Sequence, residues 1–136
     1  MKVEMRRAIL LAAVLLLAGC GGVSRGDYVA RNEAIIRSLP VFPGAVKKHE
    51  ISNRRRSGYT TTVVYRVPRG TSDGAVLRFY ETRLARRGWL GITDQGTDFT
   101  KDRALVAVNT AFLTPAQRRL GEQMYAVMVD YRGNRS

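Results

Sequence analysis

Cysteine, histidine and tryptophan each occur once in the 136 residues of the chain. A single cysteine excludes an internal disulfide, so the folded part must be stabilised by packing alone. The one histidine, His49, has Lys47, Lys48 and Glu50 as neighbours, a setting typical of an exposed strand rather than of a catalytic or metal-binding site. Signatures of zinc proteases, P-loop proteins and dinucleotide-binding folds are also missing. We therefore expect neither enzymatic activity nor a bound cofactor or metal.

Long hydrophobic runs are missing as well. The longest apolar run covers residues 8–18 and is too short to cross a bilayer, which requires about 20 apolar residues. It follows Arg6 and Arg7, and a short apolar run behind a basic end is typical of a secretory signal peptide. The sequence therefore predicts export.

The apolar run ends in Leu17-Ala18-Gly19-Cys20, which has the Leu-small-small-Cys pattern of the lipobox. In these residues the chain resembles bacterial lipoproteins. The resemblance implies cleavage after Gly19 and acyl chains attached through Cys20. Each buried CH₂ contributes about 0.8 kcal/mol, so two or three chains anchor a protein stably.

These features divide the chain into four parts. Residues 1–19 are the expected signal peptide, and residues 20–26 are the lipidated cysteine with a flexible tether. Residues 27–132 are expected to form a single domain, followed by a frayed tail at residues 133–136. The expected location is the outer face of the cell membrane, or the outer membrane of a cell that has two.

Acidic residues are scarce, since 11 Asp and Glu stand against 23 Lys and Arg. An exported protein does not meet nucleic acid in the usual way, so we exclude that partner despite the basic charge. The membrane is the first expected partner, through the anchor, and anionic lipid, a wall polymer or an envelope protein could add to it. Arg54, Arg55 and Arg56 form a predicted hairpin tip and are the candidate contact with an anionic surface, although loop tips are also where solvated charges normally lie.

Several segments alternate or repeat in ways that predict regular structure. The clearest is residues 59–67, where Tyr59, Thr61, Val63, Tyr65 and Val67 occupy one side of a strand. A helix is expected at residues 28–38 behind the N-cap residue Asp27, and strands at 46–52, 89–93, 98–101, 103–110 and 124–131. Residues 53–58 are a predicted turn, and a short helical turn is expected near residues 114–120.

Residues 73–87 predict an amphipathic helix that starts at Thr71 or Ser72 and stops at Gly88. Strand patterns on both sides favour packing on a sheet over binding to a membrane surface. The predicted fold is therefore α+β: a two-layer domain with an antiparallel sheet of five or six strands, covered by this main helix, plus an N-terminal helix. Val41 and Phe42 are expected in the core.

The pattern Phe79-Tyr80, Leu84 and Gly88-Trp89, with the proline-punctuated segments before it, resembles a domain of small uncharacterised bacterial exported proteins. The resemblance covers much of residues 39–101. Its residues are structural in character and imply a fold without an activity.

Two other clusters have both a functional and a structural interpretation. Asp94, Asp98 and Asp102 could supply oxygens to Ca²⁺, but aspartate is also a standard turn residue. Tyr65, Phe79, Tyr80 and Trp89 could line a pocket, or form the core between helix and sheet. The leading hypothesis is a membrane-anchored lipoprotein that acts as a non-enzymatic binding or scaffold module. The alternative is a binder of a small apolar or lipid ligand between helix and sheet.

Overall fold

The structure is a computed structural model that describes residues 25–55, 58–94, 97–111, 116, 121 and 123–132. Cys20, the rest of the signal region and tether up to residue 24, Arg56 and the tail at 133–136 lie outside the described residues. The predicted helical turn at 114–120 lies outside them too, apart from Ala116.

The described chain contains two helices and six strands. The helices are α1 (Arg25–Ser38) and α2 (Asp73–Ala85). The predictions of Asp27 as the N-cap and of a tether through residue 26 are wrong, because Arg25 and Gly26 are already helical and Asp27 lies in the first turn, where a carboxylate also favours the helix. The strands are β1 (Val46–Arg55), β2 (Gly58–Arg66), β3 (Leu90–Gly91), β4 (Asp98–Lys101), β5 (Ala104–Asn109) and β6 (Met124–Tyr131).

All six strands form one open sheet in the order β1-β2-β6-β5-β4-β3. Every neighbouring pair is antiparallel. With its two helices the domain is α+β, as the sequence predicts, and the number of strands is the upper of the two predicted values.

Buried and more exposed side chains alternate along β2, and the pairing of β2 with β6 and β5 builds the core. In β2 the side chains of Thr61, Val63 and Tyr65 are buried, and the residues between them are more exposed. Val63 pairs with Val127 of β6, which pairs with Val108 of β5. Because the side-chain period of a strand is two, this register brings the apolar sets of three strands to the same face of the sheet.

Both helices contribute side chains to this same buried cluster. Ile36 lies on α1, and Val76, Tyr80 and Leu84 lie on α2 at the three- and four-residue spacing of one helix face. Ser72 caps α2 by accepting a hydrogen bond from the Ala75 N–H at 3.1 Å.

The predicted helix stop at Gly88 agrees with the structure, whereas the predicted burial of Val41 and Phe42 agrees only for Phe42. Gly88 has φ of +80°, the left-handed conformation that favours glycine after a helix. Phe42 packs against the core as expected. Val41 is 47% exposed, so the expectation that it is buried is wrong. The Phe42 ring meets Phe79 edge to face at 5.4 Å, and a single aromatic anchor is enough to hold this extended segment.

The first hairpin has a much shorter connection than the predicted turn at residues 53–58. Asn53, Arg54 and Arg55 continue the ladder, opposite Thr60, Tyr59 and Gly58. Only residues 56 and 57 lie between the two strands. β1 is an edge strand, and exposed polar and charged side chains are well tolerated there because they also discourage pairing with another chain.

Candidate functional site

Asn32 joins α1 to the sheet at the point where β2 begins and β6 ends. Its side chain is fully buried. Its Nδ2 donates to the Tyr59 carbonyl at 2.8 Å, and its Oδ1 accepts from the Tyr131 N–H at 2.9 Å. One amide thus satisfies a backbone group on each of two neighbouring strands, which fixes where the helix crosses them.

Around this junction lies a cluster of three tyrosines. The Tyr28 ring on α1 is 6.3 Å from the Tyr59 ring and 6.2 Å from the Tyr131 ring, centroid to centroid. Two arginines of the same helix lie over the other two rings. The Arg25 guanidinium is 5.6 Å from the centre of the Tyr59 ring, and that of Arg31 is 5.0 Å from the centre of the Tyr131 ring. Both distances are in the range of cation–π contacts.

The end of the first hairpin lies beside this cluster. Arg54 is the ladder partner of Tyr59, and Arg55 is the partner of Gly58. Gly58 lies against Tyr28, since a Cβ at Gly58 would be 3.4 Å from the Tyr28 Cε1. Two of the three arginines predicted as an anionic-surface contact are therefore exposed next to the beginning of α1.

We call this region the arginine–tyrosine end. It consists of Arg25, Tyr28, Arg31, Arg54, Arg55, Tyr59 and Tyr131. Carboxylates lie close by: Asp27 is in the first turn of α1, and Asp130 is 3.7 Å from Arg132 in an ion pair. The balance is basic, with four exposed arginines around three partly buried rings.

The other three tyrosines form a buried cluster at the opposite end of the same strands. The Tyr65 and Tyr125 rings stack at 5.1 Å, and the Tyr80 and Tyr125 hydroxyls are 2.8 Å apart in a hydrogen bond. The Phe42 N–H also donates to the Tyr125 hydroxyl, at 3.4 Å. Burial raises the pKa of all three phenols, most strongly that of Tyr80.

Three of the four aromatic residues considered above as either pocket or core belong to the hydrophobic core of the domain. Tyr65, Tyr80 and Trp89 are buried, and Phe79 packs partly buried against them. Phe79 meets the Tyr80 ring edge to face at 5.3 Å. Trp89 also borders a surface cleft of about 350 Å³ with Arg31, Lys101 and Tyr131. The ring contacts are those of a packed core.

The remaining candidate groups do not assemble into one site within the described residues: Asp98 and Asp102 border a cleft of about 520 Å³, and His49 is not part of it. His49 is exposed on β1. Among the described residues, no group of three or more His, Cys, Asp or Glu is arranged to hold a metal ion. Asp102 lies in the β4–β5 turn with φ of +51°, a conformation that aspartate tolerates, which fits the turn interpretation of the aspartates.

One short pattern resembles a catalytic motif. Gly22-Val23-Ser24-Arg25-Gly26 has the G-x-S-x-G spacing of hydrolases, in which the serine sits on a turn between a strand and a helix. All six strands of the sheet follow this segment in the chain, from Val46 onward. Among the described residues, no strand leads into the serine.

The face of the sheet opposite the core carries exposed apolar side chains. Val46, Ile51 and Leu90 are 51%, 55% and 68% exposed. Their ladder partners alternate with buried residues, which places all three on the side away from the core. This exposed apolar surface was not predicted from the sequence.

Comparison of the chain with protein-family models, curated proteins and solved structures finds no match. Within the described part of the chain, neither helix has the length and apolar character needed to cross a membrane. The site residues that sequence reasoning missed are Arg25, Tyr28, Arg31 and Asn32. A signal for part of the cluster was present, since Tyr59 and Tyr131 each lie six residues from Tyr65 and Tyr125 and hence on the same strand faces.

Proposed function

We propose that this protein is an exported lipoprotein, held at the outer face of a membrane by acyl chains on Cys20, whose domain acts as a non-enzymatic binding or scaffold module. The observation that carries the proposal is the lipobox Leu17-Ala18-Gly19-Cys20 behind a basic end and an apolar run of 11 residues. Several acyl chains supply enough apolar burial for stable attachment without a membrane-spanning helix.

The domain is proposed to be a two-layer unit in which α2 is the main cover of one sheet face and α1 crosses the end of that face. The shared buried cluster of helix and strand side chains supports this layering. The two hydrogen bonds of Asn32 support the position of α1.

A scaffold or binding role is favoured over a small-ligand site between helix and sheet. That alternative requires an open cavity lined by Tyr65, Phe79, Tyr80 and Trp89. The stacked and edge-to-face contacts among the first three of these rings, Phe42 and Tyr125 argue for packing in their place. The separation of His49 from the cleft that Asp98 and Asp102 border likewise supports a role without catalysis.

The anchor is tested by feeding cells labelled palmitate. We expect label in the wild-type chain and in a Ser24→Ala control, which alters the tether and leaves the lipobox intact, and none in Cys20→Ser. Membrane fractionation should separate the variants in the same way. Label and membrane attachment that persist in Cys20→Ser would contradict the proposal.

A further inference from the structure

The beginning of α1 and the arginine-rich end of β1, which are distant in sequence, meet at one end of the domain. Arg25 begins α1 and is only five residues after Cys20, a span of at most roughly 17 Å. Arg25 lies over Tyr59, and Tyr59 is the ladder partner of Arg54. The length of the chain therefore limits how far an anchor at Cys20 can be from this end of the domain.

We propose that the arginine–tyrosine end docks on anionic phospholipid headgroups, with Arg25, Arg31, Arg54 and Arg55 facing the membrane that holds the anchor. The inference rests on the proposed lipid anchor and adds an orientation and a lipid preference to it.

The chemistry of this end fits a headgroup layer. Four exposed arginines supply guanidinium groups that bind phosphate oxygens in a bidentate geometry. Tyr28, Tyr59 and Tyr131 are partly buried beneath and between them, and tyrosine favours the boundary between apolar and aqueous phases because its ring is apolar and its hydroxyl polar. The cation–π contacts hold Arg25 and Arg31 close to the ring cluster, so little side-chain freedom remains to be lost on docking.

The anchor makes this weak attraction effective. Each arginine near an anionic surface raises binding roughly fivefold, but only within about a Debye length of the surface, about 8 Å at physiological salt. A tether of at most roughly 17 Å limits the arginine–tyrosine end to about two Debye lengths from the lipid, so its effective concentration at the surface is high and a small approach brings it into range. Asp27 and Asp130 reduce the attraction without reversing it, because four arginines outnumber these two carboxylates.

The lipidated chain, purified in detergent and reconstituted into vesicles, provides the test. An environment-sensitive dye is attached at a new cysteine in Asn53→Cys, near the hairpin end of β1, and as a matched control in Val46→Cys, at the other end of the same strand. Cys20 is the only natural cysteine and is blocked by its lipid, so labelling is specific. Vesicles are either neutral phosphatidylcholine or phosphatidylcholine mixed with phosphatidylglycerol.

The dye at position 53 should shift in anionic vesicles, lose the shift at high salt and show no shift in neutral ones, whereas the dye at position 46 should not respond. Reversing two charges in Arg54→Glu/Arg55→Glu should reduce the docked population at least tenfold. A control with the same change of charge at the other end of the domain, Arg69→Glu/Arg78→Glu, should stay within twofold of the wild type.

The outcomes separate the two proposals. A chain that fails to float with neutral vesicles overturns the anchor. A chain that floats, but whose dye at position 53 is silent in anionic vesicles, overturns the docking and leaves the anchor intact. A response from both dyes also overturns the docking as proposed, because it indicates that the apolar sheet face with Val46 and Ile51 lies on the membrane.

Discussion

The six tyrosines of the chain form two groups of three that share a plan and differ in burial. Each group has one member on β2, one on β6 and one on a helix. Tyr65, Tyr125 and Tyr80 are at most 8% exposed, and their hydroxyls and rings contact one another. Tyr59, Tyr131 and Tyr28 are half-buried, and arginines lie over the first two of these rings.

The two groups of tyrosines differ in burial because different helices pack at the two ends of the strands. Tyr80 comes from α2, which presents an apolar face, and Phe42 packs beside it, so the hydroxyls must bond to one another and to the Phe42 N–H. Tyr28 comes from α1, where Arg25 and Arg31 lie one turn to either side. The same residue type therefore stabilises a core at one end and forms an amphipathic surface at the other.

The largest expected effect comes from truncating one helix tyrosine of each group. Tyr80→Ala should lower the free energy of unfolding by about 3–5 kcal/mol, because it leaves a cavity and removes the partner of the Tyr125 hydroxyl. Tyr28→Ala should cost about 1 kcal/mol, the loss expected for a half-buried ring. Denaturant midpoints measure both, and equal losses would contradict the division into core and surface groups.

This division was only partly predictable from the sequence. Alternation in β2 and β6 predicts their inward faces, and Ser72 and Gly88 predict the limits of α2, because these signals are local. The turn at residues 53–58 was predicted too long because asparagine and glycine are typical of turns, and charged arginines are common at exposed loop tips. An edge strand accepts the same residues when its partner continues the ladder.

The arginine–tyrosine end was not predictable, because it depends on where α1 crosses the sheet. That position is set by Asn32, whose partners Tyr59 and Tyr131 are 27 and 99 residues away along the chain. The pattern that predicts a helix at residues 28–38 does not mark Asn32 as buried. The spacing of residues along the chain does not distinguish an asparagine that faces solvent from one whose side chain bonds backbone groups inside the domain.

A second prediction therefore concerns this junction. Asn32→Ala should lower the free energy of unfolding by about 2–4 kcal/mol, since it leaves the Tyr59 carbonyl and the Tyr131 N–H without their buried partner. Asn53→Ala, on the exposed strand β1, is the matched control and should change stability by less than about 0.5 kcal/mol. Hydrogen exchange should also speed up at the Tyr131 amide in Asn32→Ala. Unchanged exchange there would show that the amide does not depend on the Asn32 side chain.

The smallest expected effect is a pH dependence of stability, which arises from the phenol hydroxyls of the buried tyrosines. Burial raises the pKa of Tyr80 well above its ordinary value, and also raises those of Tyr65 and Tyr125. An unfolded chain releases tyrosine protons above about pH 10, whereas the folded domain keeps the Tyr80 proton. Its contribution to stability is therefore complete below about pH 10 and falls as the pH rises further, by up to about 1.4 kcal/mol per pH unit for Tyr80.

Urea unfolding at a series of alkaline pH values, with phenolate absorbance recorded alongside, measures this dependence. The wild-type domain should lose stability above about pH 10, and phenolate absorbance from the buried group should appear together with unfolding. Tyr80→Phe removes the ionisable group but keeps the ring, so its stability should fall less steeply with pH. Tyr28→Phe is the control from the arginine–tyrosine end and should keep the wild-type slope. If Tyr80→Phe and Tyr28→Phe change the slope equally, burial does not separate the two groups of tyrosines.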